Sequence, residues 1–453
     1  MTKRSVSVIL ILLLCFSAFA YTTDELLKAM VGNNTEILKA REELKQSLLD
    51  VSDAKAGYYP SVDLTLTGSY IANPIDPIRI NLSDYIPGMS TSEYVKIYDG
   101  QESLYYQFKL QLTQPVFTSG KLSNGVKLAS LAAEARELQL QRTTENEEVQ
   151  LRANCAALYY LQMLKEVVSE LQAYSSRLVE LSQSACENGM MLETDFYNIK
   201  AKARSADSAL SQVESKLLST EASVARLSGI MDFSFKELEF DEKEVLSLCS
   251  RISSSDYTEL KSSSVSSERT VFTLLDKMNE IAKASEDFAN ASVSWKPDVA
   301  IVVDASYSGS RFPLIETDWY RKDDWAATIT VAVKTTLFDA GTSARAVDRA
   351  VSSSVVSAVD KSAAENEVLS TLAENYGNFI SSVSDIEYRK VLLESLESQS
   401  RSRLEQFESG YGSESDYIQS LIDLKSCESE LIQAYIERAV SAYTIGYLCG
   451  MND

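Results

Sequence analysis

Gln114-Pro115-Val116-Phe117-Thr118-Ser119-Gly120 and Thr335-Thr336-Leu337-Phe338-Asp339-Ala340-Gly341 are two copies of one motif, 221 residues apart. The same spacing recurs further along. Glu187-Asn188-Gly189 with Asp195-Phe196 returns as Glu408-Ser409-Gly410 with Asp416-Tyr417. Leu227-Ser228-Gly229-Ile230-Met231-Asp232 returns as Leu448-Cys449-Gly450-Met451-Asn452-Asp453. Three matches at one offset make the chain an internal duplication. Upstream, Tyr59-Pro60-Ser61-Val62 matches Lys296-Pro297-Asp298-Val299 at an offset of 237, so the first copy holds sixteen more residues there. They fall within 73–101, which carries Pro74, Pro77 and Pro87 and reads as a long loop.

Proline placement separates helix from strand. All seven prolines lie in the short regions before Lys121 and between the copies' helices, and none lies in 121–268 or 341–453. An interior proline costs a helix about 3 kcal/mol, so those stretches are free to be long helices. Phe117 to Gly189 and Phe338 to Gly410 are each 72 residues, which at helical rise is about 100 Å. Phe196, Ile199, Ala203, Ala206, Leu210, Val213 and Leu217 step by threes and fours, as do Tyr417, Leu424, Cys427, Leu431 and Ala434. This is coiled-coil spacing, and Gly189 and Gly410 mark the turns between helices. Two helical segments, 23–56 and about 267–292, precede the strands.

Four runs alternate at period two. Val62, Leu64, Leu66 and Tyr70 share one face against Asp63, Thr65 and Thr67. Tyr106, Phe108, Leu110 and Leu112 do the same, followed by Val299, Ile301, Val303 and Tyr307, then Trp325, Ile329, Val331 and Val333. Each run has the length of a tilted strand that crosses a bilayer. Trp295, Trp319 and Trp325 cluster around the second strand pair, and Trp319 and Trp325 suit an interfacial aromatic girdle. Trp295 also fits a packing role at a helix–strand junction. Four strands do not close a barrel, so insertion in lipid requires more than one copy: two copies give eight strands and three give twelve.

Residues 1–20 read as an export leader: Lys3 and Arg4, an apolar run from Val6 to Leu14, then Ala18-Phe19-Ala20, with cleavage after Ala20. A rival reading lipidates Cys15, but Leu14 is not the small residue that such a site needs before it. No later run is apolar and long enough for a membrane helix. The net charge of −22 argues against nucleic acid as a partner. Histidine is absent, which removes the commonest general base and transition-metal ligand, and no catalytic or cofactor site is expected. Cys155, Cys186, Cys249, Cys427 and Cys449 remain after the leader, an odd number without a CxxC pair.

Helix, strand–loop–strand, long helix, glycine turn and returning helix, twice over, resemble the TolC-type outer-membrane efflux proteins. The strand-exit motifs at 114–120 and 335–341 and the tips around Gly189 and Gly410 carry the resemblance. It implies a mainly α fold with a small membrane β-barrel portion. Each repeat of long coiled-coil hairpins would give two antiparallel strands to a trimeric twelve-stranded barrel. The expected divisions are a leader 1–20, a first repeat 21–232, an equatorial linker 233–266 and a second repeat 267–453. The implied role is a passive outer-membrane duct with a long periplasmic part, in an efflux pump or type I secretion system. Its partners would be outer-membrane lipid, a periplasmic adaptor and an inner-membrane transporter. The alternative is a periplasmic coiled-coil spacer or surface antigen without channel activity. The resemblance makes Asp416, with its counterpart Asp195, a ring of acid at the periplasmic entrance, joined by Glu193 and Glu414. The same four residues also fit as ordinary acids in a helix's first turn. Two positions depart from the family pattern: Gln419 stands where a second aperture acid often occurs, and Gly412 where a basic residue does. Phe407, one turn before the second tip, reads either as a core knob or as a narrowing of the entrance.

Overall fold

The computed structural model describes residues 21–82, 85–88, 94–98, 100–101, 103–293, 295–309 and 325–451. The elements run β1 (Tyr21–Thr22), α1 (Thr23–Asn33), α2 (Thr35–Ala56), β2 (Ser61–Tyr70), β3 (Ile78–Asn81), β4 (Tyr94–Tyr98), β5 (Leu104–Phe117), α3 (Lys121–Glu187) and α4 (Glu193–Ser228). There follow β6 (Leu238–Glu239), α5 (Glu242–Ser254), α6 (Tyr257–Ser264), α7 (Thr270–Ala291), β7 (Asp298–Gly309), β8 (Trp325–Lys334), α8 (Thr342–Glu408) and α9 (Glu414–Cys449). The duplication is visible residue for residue. Helices α3 and α8 have 67 residues each, and α4 and α9 have 36 each. Gly189, Gly229, Gly120 and Ser119 take positive φ, and so do Gly410, Gly450, Gly341 and Ala340.

The chain forms two compact units. One comprises the described residues within Met1–Lys45, Glu134–Met278 and Ser357–Asp453, the other Gln46–Ala133 and Asn279–Val356. The second unit holds the main sheet, antiparallel in the order β2-β5-β7-β8. Register carries the expected alternation straight across it. Val62, Leu112, Val303 and Ile329 lie side by side, as do Leu64, Leu110, Ala305 and Ala327, and Leu66, Phe108, Tyr307 and Trp325. The other face is polar, with Asp63, Gln111, Asp304 and Thr328 in one row and an ion pair from Lys109 to Asp304 at 3.0 Å. The apolar face is uncovered on the outer strands, where Leu64 is 63% exposed and Ile329 78%, while Tyr307 on β7 is buried. The loop expected within 73–101 contains a small hairpin of its own, β3 with β4. Pro77 and the turn at Gly100 flank it.

Each strand-to-helix turn places a non-glycine residue in the left-handed region: Ser119 at φ 52° and Ala340 at φ 53°. Asp339 stabilises the second turn by accepting from the Gly341 and Ser343 amides, each at 2.9 Å. Left-handed backbone costs an alanine about 1–2 kcal/mol, more than the 0.4–1 kcal/mol that glycine's looser unfolded chain costs. Ala340→Gly should therefore raise the thermal midpoint, with a gain of about 0.5 kcal/mol. A lowered midpoint in calorimetry would count against the strain.

The helical unit packs around two clusters. Tyr160, Leu164 and Val168 of α3 meet Val245, Leu248 and Ile252 of α5, Leu372 and Phe379 of α8, and Tyr443 and Ile445 of α9. Leu26, Met30 and Ile37 meet Leu151, Leu158, Leu217, Val224 and Phe233. Residues 233–266 are thus no bare connector: α5 and α6 are amphipathic and add Leu260 to the core. Tyr21 and Thr22 pair in parallel with Leu238 and Glu239. The helical segment 23–56 is broken at Asn34, whose ψ of 128° leaves the helix. Asn34 and Arg269 hold equivalent places, immediately before α2 and α7. Each reaches the end of a returning helix: Asn34 donates to the Leu227 carbonyl at 3.0 Å, and Arg269 to the Tyr447 carbonyl. Free carbonyls at a helix C-terminus draw such donors. Cys155, Cys249, Cys427 and Cys449 are buried and, like half-buried Cys186, unbridged.

Candidate functional site

The two helical tips lie in the helical unit and are built alike. The Gly189 amide donates to the Cys186 carbonyl at 3.0 Å and the Met190 amide to Ala185 at 2.8 Å. The Gly410 amide donates to Phe407 and the Tyr411 amide to Gln406, both at 3.0 Å. This is the paired closure that a left-handed glycine permits after a helix. The starts of the returning helices differ. Leu192 precedes α4 without a side-chain cap, and Met190 and Leu192 are exposed. Ser413 caps α9: its Oγ accepts from the Asp416 amide at 3.1 Å and donates to Asp416 Oδ2 at 2.8 Å.

All four acids named from the sequence fall in these first turns, Glu193 and Asp195 on α4 and Glu414 and Asp416 on α9. Asp416 is held by the cap. Glu414 Oε1 accepts from Arg177 Nε at 3.0 Å and Nη2 at 2.8 Å. Hydrogen bonding to Glu414, then to Glu180, holds the Arg177 guanidinium above its ordinary pKa. Arg177 belongs to α3, so this pair clasps one hairpin to the other. A second clasp lies further along, from Lys425 of α9 to Glu170 of α3 at 2.8 Å. Burial works to lower the Lys425 pKa, but its bonds to Glu170 and Glu428 outweigh it and the net shift is upward. Gln419 donates to Asp423 at 2.8 Å.

Phe407 stacks on Tyr417 across the second turn, with ring centroids 6.4 Å apart, while staying 39% exposed. Gly412 has a backbone reason to be glycine. Its amide joins the Gln406 carbonyl at 3.0 Å, and a Cβ there would lie 3.0 Å from Gln406 Cβ and 3.2 Å from backbone atoms. Trp325 is half exposed and stands 5.4 Å from the Tyr307 ring at the end of the apolar face. Trp319 lies outside the described residues. Trp295 is exposed, and its carbonyl accepts from Thr335.

Residues 26–230 match the family model described as outer membrane efflux protein. The first repeat is thus similar to the outer membrane efflux proteins. The match lies in the first repeat, and the second repeats its helices at equal length. No curated protein matches in sequence. Among solved structures, the chain is similar to the CmeC outer membrane channel of Campylobacter jejuni, with a TM-score of 0.69 at 11% identity, covering 94% of this chain and 85% of that one. It is also similar to the outer membrane protein VceC of Vibrio cholerae (0.65 at 17%, covering 94% and 96%). The open state of the Neisseria gonorrhoeae MtrE channel gives 0.62 at 12%, covering 94% and 88%. These likenesses show that nearly the whole chain shares the fold of these outer membrane channels.

Sequence reasoning located the tips and their acids but missed Arg177. Arg177 sits among Tyr174, Leu178 and Leu181 on the heptad face, and an arginine inside an apolar stripe was the available signal. No helix among the described residues is long and apolar enough to cross a membrane.

Proposed function

We propose that this chain is an outer membrane efflux protein, three copies of which assemble into a passive duct, with its sheets in the outer membrane and its helices in the periplasm. The observation that carries this reading is the sheet. One face is apolar, with Val62, Leu64, Leu66, Ile329, Val331 and Val333 exposed on it, and among the described residues β2 and β8 pair on one side only. Lipid covers such a face, and only neighbouring strands satisfy such edges. Three sheets supply twelve strands, the number that the TolC-type resemblance implies. Trp325, with Trp319, would sit in the aromatic girdle. The tips around Gly189 and Gly410 would frame the periplasmic entrance, meeting an adaptor that couples the duct to an inner-membrane transporter.

Purified protein in planar bilayers should form discrete pores. Protein that remains soluble without detergent and forms no pores would support the spacer or surface-antigen alternative. Asp416 would place three carboxylates around one axis and bind multivalent cations from the entrance side. Asp416→Asn keeps the shape of the cap with Ser413 and removes the charge. It should weaken cation block of the pore; unchanged block removes Asp416 from that role and leaves it a helix cap.

A further inference from the structure

We infer that a cleft in the helical unit binds an elongated organic cation, one with an apolar body and two positive ends. The site stands apart from the tips and does not depend on assembly into a duct. The cleft measures about 530 Å³, within the roughly 300–1,000 Å³ of small-molecule sites. Its lining includes the joint where α9 ends and α7 begins, with Tyr447 and Leu448 beside Val271. Two further stretches of the lining are counterparts in the repeat. Asn146 and Glu147 belong to α3, and Glu367 and Val368, 221 residues on, belong to α8. Glu36, in the first turn of α2, adds a third carboxylate.

Charge in this cleft is unbalanced. Three carboxylates meet one guanidinium, that of Arg142, which stands at the Tyr447 hydroxyl. Glu147 is 6% exposed; the Asn34 amide donates to it, and the Arg226 guanidinium stands off at 4.0 Å. Among the described residues neither Glu36 nor Glu367 has an ion-pair partner. The shared fold does not account for the acids. Where α3 has Glu147, α8 has Val368, and where α8 has Glu367, α3 has Asn146, so the repeated helix needs neither charge. A metal ion fits poorly, since among the described residues no three acids or cysteines cluster closely enough to hold one. Carboxylates set apart on α2, α3 and α8 match positive ends set apart on one molecule. Val271, Ala364, Val368 and Leu448 supply apolar surface for its body. Little water reaches Glu147, so a positive end beside it is held more strongly than at an exposed acid.

The test uses full-length protein in a non-ionic detergent at physiological salt, where charges more than about 8 Å apart are largely screened. Propidium and ethidium share one aromatic body, and they carry two positive charges and one. Fluorescence anisotropy should show saturable binding of propidium, about fivefold tighter than that of ethidium. Glu36→Gln together with Glu367→Gln should weaken propidium about tenfold and narrow its lead over ethidium. Both positions are exposed, so this variant should keep its helical spectrum. Glu394→Gln together with Glu397→Gln removes the same charge from exposed positions of α8 outside the cleft and should change nothing. Four results would overturn the inference: no saturable binding of propidium, equal affinity for the two dyes, unchanged affinity in the cleft variant, or an equal loss in the control.

Discussion

Asn34→Leu should destabilise the helical unit by about 3–5 kcal/mol, the sum of a lost helix cap and of a buried carboxylate and a carbonyl left without their amide donor. Asn34 is 1% exposed and uses both ends of its amide. Its Oδ1 accepts from the Glu36 and Ile37 amides at 2.9 and 3.2 Å, capping α2. Its Nδ2 donates to Glu147 Oε2 at 2.8 Å and to the Leu227 carbonyl at 3.0 Å. Glu147 is itself buried, and the Arg226 guanidinium stands off at 4.0 Å. Leucine would leave a helix start uncapped, a helix end unmet and a carboxylate without its hydrogen bond. Losing the cap alone costs about 1 kcal/mol. Asn34→Asp restores the cap but sets a second carboxylate against Glu147, so it should be nearly as harmful. Asn34→Leu combined with Glu147→Leu removes the stranded charge and should recover much of the loss. Thermal unfolding followed by circular dichroism tests the series. A midpoint unchanged in Asn34→Leu would mean that Glu147 is hydrated, contrary to its burial.

Asn34 also marks where sequence reading stops. Periodicity is a local signal, and it sufficed for the long helices, for the alternating strands and for the turns at Gly189 and Gly410. The duplication did more, because one offset fixed the lengths of both hairpins. The amide bridge from Asn34 spans 113 residues to Glu147 and 193 to Leu227, and nothing periodic announces it. In the other copy the same junction is filled by Arg269, so even the repeat conceals it. The tip acids were legible as charges in a helix's first turn. That Asp416 is tied to Ser413, and Glu414 to Arg177, depends on side-chain direction, which spacing alone leaves open. Gly412 read as a departure from a family pattern. The structure gives the steric cause, the close approach to Gln406.

Leu218→Glu together with Tyr388→Glu should abolish assembly while leaving each copy folded. Leu218 of α4 is 68% exposed and Tyr388 of α8 is 60% exposed. Their counterparts in the other repeat, Ala439 and Val167, are buried within the copy. The other unit shows the same contrast: Val356 is exposed, and its counterpart Ala135 is buried. A duplicated chain that hides one member of each pair and bares the other has its missing neighbour in a second molecule. Each glutamate would have to enter that contact charged or protonated, at a cost of several kcal/mol per seam. In the isolated chain both positions face solvent, and substitution there should change folding stability by no more than about 0.5 kcal/mol. Light scattering in detergent should then report monomers with an unchanged helical spectrum, and bilayers should show no pores. Full-sized assemblies with normal conductance would mean that α4 and α8 do not meet between copies.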